Sequence, residues 1–245
     1  MISVKDEKGH SQVWSENSST VFRAQQRIHQ ILTHLKPNSH VLELGCGHGD
    51  LTHALLKAGH RVTALDRSEI MLKATQERCA SHPALVTVQA DVLEFLEKEG
   101  PVFDAVVGMG ILHHCILDLD KTLRLIATRL SVLGRGFFWE PNRENPLVRF
   151  LFGTSLGRKW MNLEPEENAF TAKIAKDLLK NIYPRYQVLK KDWAYPFMPV
   201  FLQKQVKKIE LSTPAILNDY VAQSLWIEFY KSFDGTLEAK TDNPK

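Results

Sequence analysis

The residues most suited to chemistry cluster early. A carboxylate leads into a run of alternating glycines, Glu43-Leu-Gly45-Cys46-Gly47-His-Gly49. Glycines placed this way let a backbone turn sharply and approach a ligand closely. Asp66 follows Gly45 by 21 positions, a spacing at which a carboxylate can accept hydrogen bonds from two ribose hydroxyls. Asp91, in Ala90-Asp91-Val92, stands where an adenine ring would lie. Gly108-Met109-Gly110 then opens into Ile111-Leu-His113-His114, whose imidazoles can take up a proton near neutral pH. These groups suit the binding of a nucleoside. No Gly-Lys-Ser/Thr loop that grips phosphates is present.

The elements between them explain how they meet. Apolar runs at 40–44, 61–65, 85–89, 103–107 and 136–140 read as strands. The segments 51–58, 69–79, 92–99 and 119–130 read as helices, with Ser68 as an N-cap. This alternation predicts an α/β fold with an open, mostly parallel sheet and helices on both faces. Each strand end then points glycine or polar residues at one crevice, where ligands of such sheets bind. A helix is expected over 13–35. Residues 143–168 combine Gly and Pro breaks with large apolar side chains. Helix returns over 170–182, followed by a strand at 186–190, an aromatic and proline-rich stretch at 193–203, and an apolar strand at 225–229.

With 245 residues, 44% hydrophobic and 24% charged, the chain suits one large domain with a small cap. A net charge of +3 is far from the basic excess of a dedicated nucleic-acid binder. No apolar run approaches the roughly 18–20 residues needed to span a bilayer, and Met1 to Gly9 lacks the core of a secretory signal. The cysteines, Cys46, Cys79 and Cys115, are odd in number and match no disulfide or zinc spacing. A reducing, cytoplasmic setting is the expectation.

The series Glu43-Leu-Gly-Cys-Gly-His-Gly49, Ala64-Leu-Asp66-Arg-Ser-Glu-Ile-Met71, Ala90-Asp91, Phe103-Asp-Ala-Val and Ile111-Leu-His-His114 resembles the successive motifs of class I, Rossmann-like S-adenosylmethionine-dependent methyltransferases. The resemblance covers residues 38–140. Glu140-Pro-Asn142 and Asn168-Ala-Phe-Thr171 further resemble a bacterial, small-molecule branch of that family. It implies a three-layer sandwich around a seven-stranded sheet with an antiparallel last strand, for which 225–229 is the candidate. It also implies S-adenosylmethionine as cofactor. Gly45, Cys46, Gly47 and Gly49 would line its methionine and ribose parts, Glu43 would orient its amino group, and Asp66 would hold the ribose diol. Ile70 or Met71 would flank the adenine, Asp91 would accept from the adenine amino group with Val92 beside the ring, the Gly108 backbone would face the methionine moiety, and Arg67 and Met109 would join the cofactor-binding residues.

The resemblance divides the chain into an N-terminal helical lid (1–36), a cofactor-binding core (37–142), a remainder of the sheet with acceptor-side insertions (143–233) and a polar tail (234–245). His113, His114 and Glu140 are the candidate catalytic groups; Glu140 otherwise fixes Arg143 or backbone. Cys46 reads as a small packed residue. A metal site is not expected, since adjacent His113, His114 and Cys115 side chains diverge. Trp14 is a candidate lid aromatic. Trp193, Tyr195, Phe197, Met198 and Phe201, with residues 147–160, would roof a small, hydrophobic acceptor, pack as a cap or subunit interface, or touch a membrane surface.

Two rival functions are weighed. A nicotinamide-dependent oxidoreductase needs Gly-x-Gly-x-x-Gly, and position 50 is Asp50. A non-catalytic cofactor-binding module would keep the fold without turnover. Nucleic acid is not expected as acceptor, because the Asn-Pro-Pro-Tyr type motif of base-amine enzymes is absent after the fourth strand.

Overall fold

The computed structural model describes residues 18–195, 198–212 and 218–232. Trp14, Phe197 and the 234–245 tail lie outside the described residues. Seven strands form one sheet in the order β3-β2-β1-β4-β5-β7-β6. β1 (His40–Leu44), β2 (Arg61–Asp66), β3 (Leu85–Gln89), β4 (Phe103–Met109) and β5 (Leu130–Pro141) run parallel. β7 (Ser224–Tyr230) inserts antiparallel between β5 and β6 (Arg185–Lys191). The order reverses between β1 and β4, so a crevice opens at their carboxyl ends.

Successive strand residues face opposite layers, as the period of two demands. Leu42, Val106, Phe138 and Ile227 pack under α4 (Val92–Glu97), α5 (Leu119–Arg129) and α8 (Ala172–Leu179). Val41, Val107, Phe137 and Trp226 pack under α1 (Ser18–His34), α2 (Asp50–Lys57) and α3 (Glu69–Arg78). The three-layer sandwich follows directly from this alternation.

The helices start where their caps lie. Ser68 accepts from Met71 N–H at the head of α3, as the sequence predicts. The Gly/Pro breaks in 143–168 delimit two helices, α6 (Pro146–Gly153), capped by Asn145, and α7 (Ser155–Met161), capped by Thr154. The end of the stretch expected at 193–203 opens the helix α9 (Val200–Ser212). Pro199 starts it by fixing the backbone while its carbonyl accepts from Leu202 and Gln203 N–H. A short helix, α10 (Asn218–Val221), leads into β7. Among the described residues no helix is long and apolar enough to cross a membrane.

Candidate functional site

The glycine turn joins β1 to α2. Gly45, Gly47 and Gly49 all have positive φ, at 67°, 51° and 78°. A Cβ at Gly49 would meet Thr75 at 2.9–3.0 Å, whereas one at Gly47 would meet nothing within 4 Å. Gly49 is therefore required by packing against α3, while Gly47 faces open space at the crevice. Cys46 is buried; burial and the nearby Glu43 raise its thiol well above the usual range, so it packs rather than reacts.

Two carboxylates brace this turn. Asp66, at the end of β2, accepts from Gly47 N–H (2.9 Å) and from Ser68 N–H (2.9 Å). Glu43 is buried beneath and accepts from the Thr52 hydroxyl at 2.6 Å. Burial pushes the Glu43 carboxyl up to about 8, partly offset by Thr52 and reinforced by Asp66 and Asp50.

The remaining predicted contacts spread around the same edge. Asp91 is exposed and caps α4, accepting from Leu93 and Glu94 N–H through Oδ1. Met71 and Met109 are half-buried. Gly108 lies under Ile111, whose Cγ2 would stand 2.5 Å from a Cβ there. Arg67 is exposed and pairs with Glu164, which ties the turn after β2 to the segment following α7. Val92, expected beside the adenine ring, has its side chain buried in the core on the inward face of α4.

Glu140 is expected either to touch an acceptor or to fix Arg143 or backbone, and its side chain is closed to solvent. It accepts from the backbone N–H groups of Ile111 (3.0 Å), Leu112 (2.8 Å) and His113 (3.2 Å), and pairs with His113 Nδ1 at 2.9 Å. Four donors fill a carboxylate. Glu140 thus fixes backbone, and it fixes the turn after β4 rather than Arg143.

The expected divergence of adjacent histidines is corrected. The rings of His113 and His114 pack with centroids 4.3 Å apart, because the short 3-10 helix Leu112–Asp118 carries them. His114 Nδ1 lies 3.3 Å from the buried carboxylate of Glu167. Ligand-type atoms of His113, His114 and Glu167 fall within 4.8 Å of one another, with Cys115 outside this group. Burial, then Glu140 and Asp91, push the Cys115 thiol up to about 12.

The aromatic stretch after β6 is anchored by polar atoms. Trp193 Nε1 donates to Asn218 at 2.6 Å, and the Tyr195 hydroxyl accepts from Asn145 Nδ2 at 3.3 Å. Met198 is half-buried and Phe201 is exposed. Sequence reasoning missed the groups beside them: Arg23 and Arg27 on α1, Asp192 after β6, and Glu167. The two arginines recur at i and i+4 on α1, one turn apart among glutamines and apolar residues.

A seven-stranded sheet of this order, with a glycine turn after β1 and acids after β2 and β3, is the Rossmann-like α/β fold found in methyltransferases. Residues 41–134 match the family described as "Methyltransferase domain". A ubiquinone biosynthesis O-methyltransferase of Coxiella burnetii is 32% identical over 104 residues, which span 42% of this chain and 44% of that relative. The chain thus spans less than half the length of that curated relative. Among solved structures, a SAM-dependent methyltransferase from Archaeoglobus fulgidus superposes with a TM-score of 0.64 at 15% identity, over 90% of this chain and 97% of that one. The N-methyltransferase NodS of Bradyrhizobium japonicum, in complex with S-adenosyl-L-homocysteine, gives 0.57 at 14% identity over 89% of each chain.

Proposed function

We propose that the chain is an enzyme that transfers a methyl group from S-adenosylmethionine to a small-molecule acceptor. The observation that carries this reading is the open face of Gly47, flanked by Asp66 and lying above the buried Glu43, at the crevice between β1 and β4. The cradle fits the cofactor: Asp66 and the buried Glu43 put carboxyl groups at it, where a phosphate would be repelled and a cationic sulfonium nucleoside would not. Gly45, Gly47 and Gly49 would line the methionine and ribose parts, and Asp66 would hold the ribose diol. Asp91, whose Oδ1 accepts only from α4, would turn Oδ2 to the adenine amino group.

When bound, S-adenosylmethionine supplies a methyl on a sulfonium; an acceptor lone pair takes it as the carbon–sulfur bond breaks and its electrons return to sulfur. The chain's part is alignment, which can lower a barrier by up to roughly 7–11 kcal/mol. Where the acceptor is a hydroxyl, a base must take its proton. His113 suits that role: Glu140 holds Nδ1 as the donor, which leaves Nε2 with the lone pair. Residues 37–142 would then bind cofactor, and 143–233 would shape the acceptor side.

Calorimetric titration with S-adenosylmethionine, S-adenosylhomocysteine and NADH tests the reading. Micromolar binding of both sulfur nucleosides and none of NADH is expected. Binding of NADH alone would put an oxidoreductase in its place. Binding of the sulfur nucleosides with no methyl transfer from labelled cofactor to a metabolite extract would favour the non-catalytic module.

A further inference from the structure

Two arginines one turn apart on α1 turn onto a single carboxylate. Arg23 Nε and Arg27 Nη2 lie 2.5 and 2.7 Å from Asp192 Oδ2, just past β6. Both also donate to the Ser224 hydroxyl, at 3.2 and 2.5 Å. Their side chains are only 10% and 20% exposed, and that of Asp192 is 11%. Two positive charges against one negative leave a surplus cation where water is scarce, an arrangement that is costly without a further anion. Burial, then Arg23, draw the Arg27 guanidinium down to about 10. Glu140 also acts on Arg27 through space, but its oxygens are taken by the four donors described above. Lys207 at the rim pairs with Glu210 at 3.1 Å and does not relieve the surplus.

These arginines line a cavity of about 220 Å³ between α1, Trp139 of β5 and α9. Trp139 connects it to the candidate site. The Arg27 guanidinium sits 5.2 Å from its ring centroid, and its carbonyl accepts from Gly110 N–H at 2.7 Å. One residue therefore forms the cavity wall and braces the turn that carries His113.

We infer that this cavity takes the anionic group, a carboxylate or a phosphate, of the acceptor, gripped by Arg23 and Arg27. Asp192 holds the two guanidiniums in place and shares them with the incoming anion. That the anion belongs to an acceptor rests on the methyl-transfer reading; the anion site itself does not.

Inorganic phosphate, benzoate and choline, titrated calorimetrically at equal ionic strength in potassium chloride, test it. Saturable binding of phosphate or benzoate and none of choline is expected, with the tighter anion identifying phosphate or carboxylate. Arg27→Gln should weaken that anion at least tenfold. Asp192→Asn keeps both cations and removes their competitor, so it should bind the anion at least as tightly as wild type. Absence of binding by both anions would overturn the inference, as would equal weakening by the two substitutions, which would mark a purely structural cluster. S-adenosylhomocysteine is titrated into the same samples. Its binding without anion binding sinks this inference alone; anion binding without it sinks the methyl-transfer reading alone.

Discussion

His113 Nδ1 lies 2.9 Å from Glu140 Oε2, and the same carboxylate holds the backbone of 111–113. Ring and turn are fixed by one group. Hydrogen bonds to a charged group contribute about 1.5–3 kcal/mol each. Glu140→Gln, which sets an amide N–H₂ against these donors, should lower the unfolding free energy by about 2 kcal/mol or more. Urea melts with an unchanged midpoint would show that the carboxylate is not an anchor. His113→Ala leaves the backbone bonds and should cost less stability. With a hydroxyl acceptor it should slow turnover by about 10²–10⁴-fold while cofactor affinity is kept. Equal losses in both would point to a folding role alone.

Asp66 is spent on the glycine turn before any ligand arrives. Asp66→Ala loses the grip on Gly47 N–H and Ser68 N–H as well as the ribose contact. Calorimetry should show cofactor affinity falling at least about tenfold, the equivalent of about 1.4 kcal/mol. Circular dichroism should show the fold intact, because the sheet registers do not depend on this side chain. An unchanged affinity would remove Asp66 from the site.

Gly47 and Gly49 separate binding from folding. Gly49→Ala meets Thr75, including its Cα at 3.0 Å. It should destabilise by about 2 kcal/mol or more through left-handed strain and crowding. Gly47→Ala carries only the strain, roughly 1–2 kcal/mol, but its methyl enters the open cradle. Thermal melts and S-adenosylhomocysteine titrations should therefore rank the two variants oppositely. The same ranking in both assays would move the cradle away from Gly47.

Glu43 gives a pH signature. Its carboxyl is raised from 4.5 to about 8 in the folded chain, so the folded state binds more protons than the unfolded state between those values. The contribution to stability is full below about pH 4.5 and is lost as pH rises through about 8. Glu43→Gln should flatten the urea midpoint across this window, and a slope identical to wild type would argue against a buried neutral acid. A cationic cofactor above Glu43 favours its ionised form. S-adenosylmethionine should therefore bind with proton release, seen as a buffer-dependent enthalpy, and more tightly as pH rises.

The sheet and the cofactor side were legible because their signals are local. Strand period, Ser68 capping and the glycine run each act within a few residues, and β1 to β5 with their helices came out in order. The two readings of Glu140 stayed open because its partners lie 27–29 positions away, and a carboxylate at a strand end looks the same whether it faces ligand or backbone. The pairing of Asp192 with Arg23 and Arg27 spans 165–169 positions and leaves no periodic trace. α9 was hidden because the aromatic and proline residues before it suggested irregular chain, and its apolar positions form no clear stripe.

The place of β7 between β5 and β6 sets an order of assembly. β6 leaves the ribosome before β7, yet among the described residues its only neighbour in the sheet is β7. It must wait as an unpaired strand, with Asp192, the partner of Arg23 and Arg27, waiting beside it. Residues 40–141 hold five adjacent strands and the whole glycine turn, and they can settle first. When Ser224–Tyr230 arrives, it joins β6 to the sheet and brings Ser224 to the arginines in one event. A nascent chain of this protein would thus acquire its nucleoside crevice well before its cationic cavity, and α1, made earliest among the described elements, would be latched last.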